Sequence, residues 1–226
     1  MRSMASPGGT FDQAAYVDFM TTPDSHNDAY ASSYHRMFFQ NRAAGKPLRE
    51  CPSNDGHNVD AIDGLIIPAV VLLGGATQPE AAARQAAQES VRVTRHSPRV
   101  EQFVGEFSTM LRAVLKGQTA AEVAQASAAR LLGSPIDTSE DDPVVACYID
   151  QNFVSMLHLL SKYHSFEELV LANANSGGEN VHRGLVLGAL IGAQVGASGI
   201  PPELKSGLHH GAAIEAEVQA FVAARI

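Results

Sequence analysis

The sequence is poor in aromatic and charged residues and has no tryptophan. Of its 226 residues, 6% are aromatic and 18% are charged. Sixteen Lys and Arg stand against 24 Asp and Glu, a net charge of -8, and neither basic runs nor interleaved aromatic residues occur. This balance argues against nucleic acid as the main partner. A hydrophobic content of 45% is typical of a globular protein, and we expect one domain over residues 11–226.

Cysteine and long apolar runs are also scarce. Cys51 and Cys147 lie far apart and form no Cys-x-x-Cys pair, which predicts reduced thiols in an intracellular protein. Residues 1–10 lack the apolar core of a signal peptide, and we interpret them as disordered or as a remnant of processing. The longest apolar run, residues 184–200, is shorter than the roughly 20 residues that span a bilayer. We therefore expect no membrane span.

That apolar run carries glycine at every fourth position from residue 184 to residue 196. A four-residue period places small residues on one helix face, where another backbone could approach closely. Glycine disfavours an isolated helix by roughly 1 kcal/mol per residue relative to alanine, so tertiary packing must hold the segment. The pattern therefore predicts a central helix.

A polar segment, residues 173–183, precedes this helix. Residues 176–178, Ser-Gly-Gly, predict a tight loop, and four polar residues follow at the helix N-terminus: Glu179, Asn180, His182 and Arg183. Helix N-termini bind anions and phosphates readily. The alternative is that Glu179 and Asn180 cap the helix while His182 and Arg183 pair with neighbouring carboxylates. Geometry alone leaves both interpretations open.

Apolar periodicity predicts helices along most of the remaining chain. An aromatic helix capped by Asp24 and Ser25 is expected to turn one face inward, formed by Tyr30, Tyr34, Met37, Phe38 and Asn41. A C-terminal helix, residues 215–226, is expected to bury Val218, Phe221 and Val222. Residues 66–73 fit a helix or a strand, because Pro68 and β-branched residues occur together. The other predicted helices cover residues 11–20, 77–93, 100–115, 119–132, 144–164 and 166–173.

Several polar residues outside the glycine-rich stretch are compatible either with a functional site or with a solvent-exposed surface. Asp28 and His35 share one helix face, and residues 54–58 place Asp55, His57 and Asn58 in a loop. The acidic run at residues 137–142 has no calcium-loop spacing and is interpreted as solvated. Four histidines are assigned no chemistry: His158, His164, His209 and His210. The motifs of zinc proteases, α/β-hydrolases and P-loop proteins do not occur.

Five motifs, taken in order, resemble one family. The string GGENVHRGLVLGALIGA from residue 177 is similar to the C-terminal motif of the ADP-ribosylglycohydrolases, in the branch of the J-type lens crystallins and selenoprotein J. The other four are HNDAYASSYHRMFFQNRAAGKP (26–47), NDGHNVDAIDGL (54–65), TRHSPRVEQF (94–103) and ACYIDQNF (146–153). The resemblance implies an all-α, compact multi-helix fold, and on this basis we expect residues 66–73 to be helical.

The resemblance also implies hydrolysis of ADP-ribosyl glycosidic bonds with Mg²⁺. Catalytic members bind two magnesium ions partly through Gly-Gly-Asp-x-Asp-Thr, and the aligned residues 177–182 here keep Glu179 as a metal ligand but have Val181 at the second carboxylate. The family's N-terminal Gly-Asp-Ala and Thr-Asp-Asp motifs have no counterpart in the sequence. We therefore expect an N-terminally shortened domain that is catalytically degenerate.

Two hypotheses follow from the resemblance. In the first, the protein is a hydrolase in which Glu179 is a metal or acid–base carboxylate, Asp55 or Asp28 is a second one, and Arg183 with the helix N-terminus holds the diphosphate of ADP-ribose or a related nucleotide. In the second, the protein is a pseudoenzyme, a structural or binding subunit of crystallin type. One pocket is expected to be lined by two groups of residues. The first group is Glu179, Asn180, His182 and Arg183, and the second is Asp55, His57 and Asn58. Gly177 and Gly178 are also assigned to substrate binding.

Association is the last expectation. Without the family's N-terminal helices, the apolar surface around Leu185, Leu187, Leu190 and Ile191 should need another cover. We expect a homo-oligomer or a partner subunit near the N-terminal end of this helix. The alternative is that residues 11–20 and the aromatic helix close the core by themselves.

Overall fold

Helices make up most of the chain. The computed structural model describes residues 11–22, 31–54, 56 and 58–224. In these residues there is no strand, and the β-type pairing consists of two isolated bridges, Ser53 with Arg95 and Ala61 with Tyr148. The all-α prediction is confirmed. In chain order, the helices are α1 (Gln13–Thr21), α2 (Ser33–Ala43), α3 (Ile66–Gly74), α4 (Glu80–Val91), α5 (Pro98–Leu115), α6 (Ala120–Leu132), α7 (Ile149–Lys162), α8 (Phe166–Asn175), α9 (Asn180–Val195), α10 (Pro202–Ser206) and α11 (Gly211–Ala223).

Helices α2 and α7 begin several residues later than the sequence predicts. The aromatic helix α2 begins at Ser33. Tyr34 and Phe38 are buried as expected, whereas Met37 and Asn41 are only half-buried. Residues 23–30, which include Tyr30 and the predicted cap, lie outside the described part. Helix α7 begins at Ile149 instead of residue 144. The backbone before it is bonded elsewhere, because the carbonyl of Cys147 accepts from the N–H of Ile62 at 2.9 Å. This bond and the bridge between Ala61 and Tyr148 hold the segment in a non-helical conformation, so the helix begins later.

The ambiguous segment 66–73 is helical, as the family resemblance implied. A short 3₁₀ turn, Ile62–Leu65, leads directly into α3. Pro68 lies in the first turn of α3, where a backbone N–H has no intrahelical acceptor. The proline is therefore tolerated there without breaking the helix.

The chain forms two compact units. Unit 1 comprises Met1–Asp60, Ile67–Glu101 and Ala212–Ile226, and unit 2 comprises Ala61–Ile66 and Gln102–Gly211. One apolar cluster of unit 1 buries Val17, Met20, Phe38, Cys51 and Val93. Cys51 is one of two free cysteines, with Cys147, as the sequence predicted. The prediction of a single domain stays a prediction.

In unit 2, α6 packs on α7 and α8 packs on α9, while the turn at Ile62–Leu65 contacts α7 and α9. The rings of Phe103 and Phe153 lie 4.8 Å apart between their centroids. Leu187, Leu190 and Ile191 are buried, so the prediction that they need another cover is wrong. Leu185, on the other side of α9, is 41% exposed.

The glycines of α9 do not form a close helix crossing. A Cβ at Gly184 would lie 2.9 Å from the side-chain nitrogen of Asn173, but one at Gly188 would meet no heavy atom within 4 Å. Gly196 ends α9 as its C-cap with φ +67°. The predicted helix is therefore confirmed, but the small residues do not let another backbone approach.

The C-terminal helix buries less than its pattern suggests. In α11, Phe221 is buried as predicted, whereas Val218 and Val222 are exposed. The prediction for these two valines is wrong, because α11 buries its apolar face only at Phe221 among the described residues. Of the helices that the structure describes, none combines the length and hydropathy that a bilayer crossing needs.

Candidate functional site

The turn between α8 and α9 depends on two glycines. Gly177 and Gly178 have φ values of +65° and +61°, a conformation that side chains disfavour. A Cβ on Gly178 would lie 2.2 Å from the carbonyl oxygen of Val145. The next residue, Glu179, donates its N–H to that same oxygen at 3.2 Å. The turn is thus bonded to the loop before α7, and only glycine fits at the contact.

Arg183 lies beneath this turn and is fully buried, at 0% exposure. Its Nε donates to Oδ1 of Asn173 at 2.6 Å, and its Nη2 donates to the carbonyl of Gly177 at 3.1 Å. Burial lowers the pKa of the guanidinium from its ordinary value, and the charge of Glu179 opposes that shift. The alternative in which Arg183 pairs with a carboxylate is therefore wrong, because its direct contacts are amide and carbonyl oxygens.

One nitrogen of this guanidinium is unsatisfied. Nη1 of Arg183 is buried and has no hydrogen-bond partner among the described residues. Buried polar groups are nearly always hydrogen-bonded, and the cost of an unmade bond is greatest for charged groups. The unsatisfied donor is therefore a chemical feature that needs a reason.

The carboxylate of Glu179 contacts His182. Its Oε1 lies 2.5 Å from Nδ1 of His182, and its side chain makes no cap hydrogen bond to the helix. The amide of Asn180 donates to the carbonyl of Ala174 at 3.2 Å. His182 therefore pairs with a carboxylate, as one interpretation predicted, but neither Glu179 nor Asn180 caps α9 through its side chain.

This turn does not fit a magnesium site. Mg²⁺ prefers several oxygen ligands in near-octahedral geometry. Glu179 faces His182, the Asn180 amide faces Ala174, and Val181 is 72% exposed at the position where the resemblance implies a second carboxylate. Across the described residues, no cluster of three or more His, Cys, Asp or Glu side chains is placed to hold a metal ion. The donor set suits a cation poorly.

A second polar cluster lies in unit 1 around Arg95, for which the sequence predicted no role. Arg95 is buried, and its Nη1 donates to the carbonyl of Val59 at 3.2 Å. Its guanidinium also lies 3.8 Å from the ring centroid of Tyr34 and donates to the hydroxyl of Tyr34. The sequence signal was the position of Arg95 within one of the family-like motifs.

The same cluster joins further motif residues. The hydroxyl of Ser97 donates to Oδ1 of Asp60 at 2.5 Å and accepts from the N–H of Val100 at 2.9 Å. The amide of Asn58 donates to the hydroxyl of Ser33 at 3.2 Å. Three of the resembling segments therefore meet within unit 1.

The predicted pocket stays a prediction. Asp28, Asp55 and His57 lie outside the described residues. Asn58 belongs to unit 1, and the four predicted residues from Glu179 to Arg183 belong to unit 2. Within unit 2, the structure brings those four together at one helix N-terminus with Gly177 and Gly178.

One acidic residue that was interpreted as solvated is bonded. Asp142 accepts from Lys162 Nζ at 2.9 Å and from the Tyr163 hydroxyl at 2.7 Å, and it lies 3.2 Å from Nε2 of His158. Burial raises the pKa of Asp142, but the three hydrogen-bonding contacts together lower it by more than burial raises it. The pKa therefore lies below its ordinary value. The solvated interpretation is wrong for Asp142, and His158, which was assigned no role, anchors this loop.

The family model described as ADP-ribosylglycohydrolase matches residues 1–226. No curated protein matches the chain. The family-level resemblance is thus confirmed, while the J-type crystallin and selenoprotein J branch and the N-terminal shortening stay predictions. Because the family model covers the whole sequence, the chain belongs to the ADP-ribosylglycohydrolase family.

Proposed function

We propose that this chain is a non-hydrolysing member of the ADP-ribosylglycohydrolase family that serves as a binding or structural protein. The family model suggests an ADP-ribosylglycohydrolase-like function. Our proposal goes beyond this family-level function in three respects. The protein keeps the helical scaffold, it binds ADP-ribose or a related nucleotide, and it has lost the magnesium-dependent hydrolysis.

The observation that carries this proposal is the chemistry of the first turn of α9. Two-metal catalysis requires several carboxylates around one site. Between residues 173 and 183, Glu179 is the single acidic residue, and His182 already occupies one of its oxygens. Val181 is exposed two positions further on and offers no ligand. The turn therefore supports ligand contact better than cation-assisted hydrolysis.

Release of ADP-ribose from an ADP-ribosylated protein tests the proposal. With Mg²⁺ present, the purified chain is expected to release no more ADP-ribose than the protein-free control. An active family hydrolase assayed in parallel shows that the substrate is competent. Strong release that EDTA abolishes would overturn the proposal, because it would mean that the carboxylates missing from this turn are dispensable.

The contact between Glu179 and His182 favours hydrolysis as a second candidate function. A carboxylate that orients an imidazole is a common arrangement for general base catalysis, which contributes about 10²- to 10⁴-fold to a rate. In that case wild type would release ADP-ribose, and Glu179→Gln would reduce the rate by roughly 100-fold or more. Glu106→Gln is a matched control, because it is the same substitution on α5, where Glu106 pairs with Arg130.

The structural role that we propose includes a partner at the N-terminal end of α9. Val181 and Leu185 are four residues apart on one helix face and are 72% and 41% exposed. Exposed neighbouring apolar side chains are typical of an interface when they form a patch of several hundred Å². A second copy of the chain is the proposed occupant.

Sedimentation velocity over a range of concentrations tests this association. Wild type is expected to form dimers or larger assemblies as its concentration rises, and Leu185→Lys is expected to weaken them. Leu171→Lys is a matched control, because Leu171 is an exposed leucine on α8. A wild-type monomer at every concentration would refute the proposed oligomer while leaving the hydrolysis result unaffected.

A further inference from the structure

The segment before α7 connects the candidate turn to other parts of unit 2. Residues 142–148, which we call the strap, precede the first residue of α7. Three successive carbonyls of the strap accept hydrogen bonds, those of Val145, Ala146 and Cys147. Their donors are, in the same order, the N–H of Glu179 at 3.2 Å, the side-chain amide of Asn152 and the N–H of Ile62 at 2.9 Å. The strap is therefore bonded to the start of α9, to α7 and to the turn before α3.

Asp142, the first residue of the strap, is bound by the C-terminal end of α7. One carboxylate oxygen accepts from Lys162 Nζ at 2.9 Å and lies 3.2 Å from Nε2 of His158, and the other accepts from the Tyr163 hydroxyl at 2.7 Å. Lys162 also donates to the carbonyl of Glu140 at 2.9 Å. Hydrogen bonds between charged groups are shorter and stronger than neutral ones. The Asp142 carboxylate therefore fixes where the strap begins.

Two residues separate Asp142 from the carbonyl that contacts the turn. Pro143 has its φ fixed at about −65°, which removes one of the few rotations available between Asp142 and Val145. Val144 is 74% exposed, so the packing of its side chain contributes little to the position of this stretch. A displacement of Asp142 should therefore reach Val145 and its hydrogen bond with Glu179.

From these contacts, we infer that Asp142 is a positioning residue for the turn between α8 and α9. It acts through the strap. While the carboxylate is bound to α7, the carbonyl of Val145 is held where the N–H of Glu179 donates to it, and this bond fixes the start of α9. The inference goes beyond the proposed function, because it concerns how the turn is held and applies equally to a binding site and to a hydrolase.

Protonation of Asp142 should release the strap. Burial raises the pKa of Asp142, but its bonds to Lys162, Tyr163 and His158 lower it by more. The contribution of the carboxylate is therefore present above the unfolded pKa of about 3.9 and is lost as the pH falls through the lower folded pKa. Further charged groups face this cluster, namely Asp137 and Asp141 from the same loop and Glu168 from α8.

Hydrogen exchange at single amides of the full chain tests the inference. At neutral pH, Asp142→Asn should lower the protection factor of the Glu179 amide by roughly tenfold, about the effect of one charge-assisted hydrogen bond, while amides in the middle of α6 keep their protection. Asp141→Asn is the matched control, because it is the same substitution at the exposed neighbouring residue, and it should leave Glu179 as in wild type. In wild type, the protection of Glu179 should also fall below about pH 4, and Asp142→Asn should lack this step.

Three outcomes would overturn the inference: unchanged protection of Glu179 in Asp142→Asn, an equal loss in Asp141→Asn, or the same pH profile with and without the Asp142 carboxylate. An equal loss of protection in α6 would also overturn it, because Asp142 would then stabilise all of unit 2 without positioning the turn. If Asp142→Asn does not fold, Lys162→Met takes its place, since it removes the cation that donates to the carboxylate. Full protection of Glu179 in that variant would again contradict the inference.

Discussion

Gly178→Ala should destabilise the protein more than Gly177→Ala, although the two glycines are neighbours with almost the same φ. Both lie in the left-handed region, at +61° and +65°. An L-residue there costs roughly 1–2 kcal/mol in conformational energy. Each alanine variant should therefore lose about that much of the free energy of unfolding from its backbone alone.

The two sites differ in their surroundings. A Cβ at Gly178 would lie 2.2 Å from the carbonyl oxygen of Val145, whereas one at Gly177 meets nothing within 4 Å. To relieve this overlap, the turn must move away from Val145 and lose the 3.2 Å bond from the N–H of Glu179. A lost hydrogen bond costs about 0.5–1.5 kcal/mol. We therefore expect Gly178→Ala to cost about 1.5–3.5 kcal/mol in total and Gly177→Ala about 1–2 kcal/mol.

Urea unfolding monitored by circular dichroism measures the difference, provided that the m-value is unchanged between variants. Hydrogen exchange gives a local check, because the amide of Glu179 should lose protection in Gly178→Ala and keep it in Gly177→Ala. Equal losses of unfolding free energy in both variants, with protection of Glu179 retained, would refute the reasoning. The contact with Val145 would then not constrain the turn.

Three further predictions concern unit 2. Gly188→Ala should raise the free energy of unfolding by up to about 1 kcal/mol, since alanine favours a helix and its Cβ would meet no heavy atom within 4 Å. Gly184→Ala should lower the free energy of unfolding, because its Cβ would lie 2.9 Å from the side chain of Asn173. Urea unfolding of the two variants measures this difference. Arg183→Met should cost about 2–4 kcal/mol in the same measurement, because buried acceptors lose their donor. The pKa of Asp142 is lowered in the folded state, so the stability that Asp142 contributes is present above the unfolded pKa of about 3.9 and is lost as the pH falls through the lower folded pKa. Asp142→Asn should therefore flatten the decline in unfolding free energy below about pH 4. An unchanged acid slope in this variant would contradict the prediction.

Local sequence signals determined most of the helices. Thr119 and Glu122 form the capping box that begins α6, and Gly133 ends that helix with φ +81°. These signals succeed because a helix is built from contacts between residues three and four apart. Where the prediction failed at a boundary, as at the start of α7, the competing hydrogen bonds came from residues distant in the chain. A local pattern carries no information about such partners.

In the candidate site, too, some features follow from the local sequence and others depend on tertiary packing. The sequence alone placed Glu179, Asn180, His182 and Arg183 at a helix N-terminus after a glycine turn, because glycine and helix periodicity are local properties. The tertiary structure decided that Arg183 is buried against α8, with one donor that finds no acceptor in the described part of the chain. A side chain on the first turn of a helix can point into solvent or under the preceding loop with the same local sequence. Packing of α8 against α9 made that choice, since the acceptors of Arg183 are supplied by Asn173 and by the Gly177 turn.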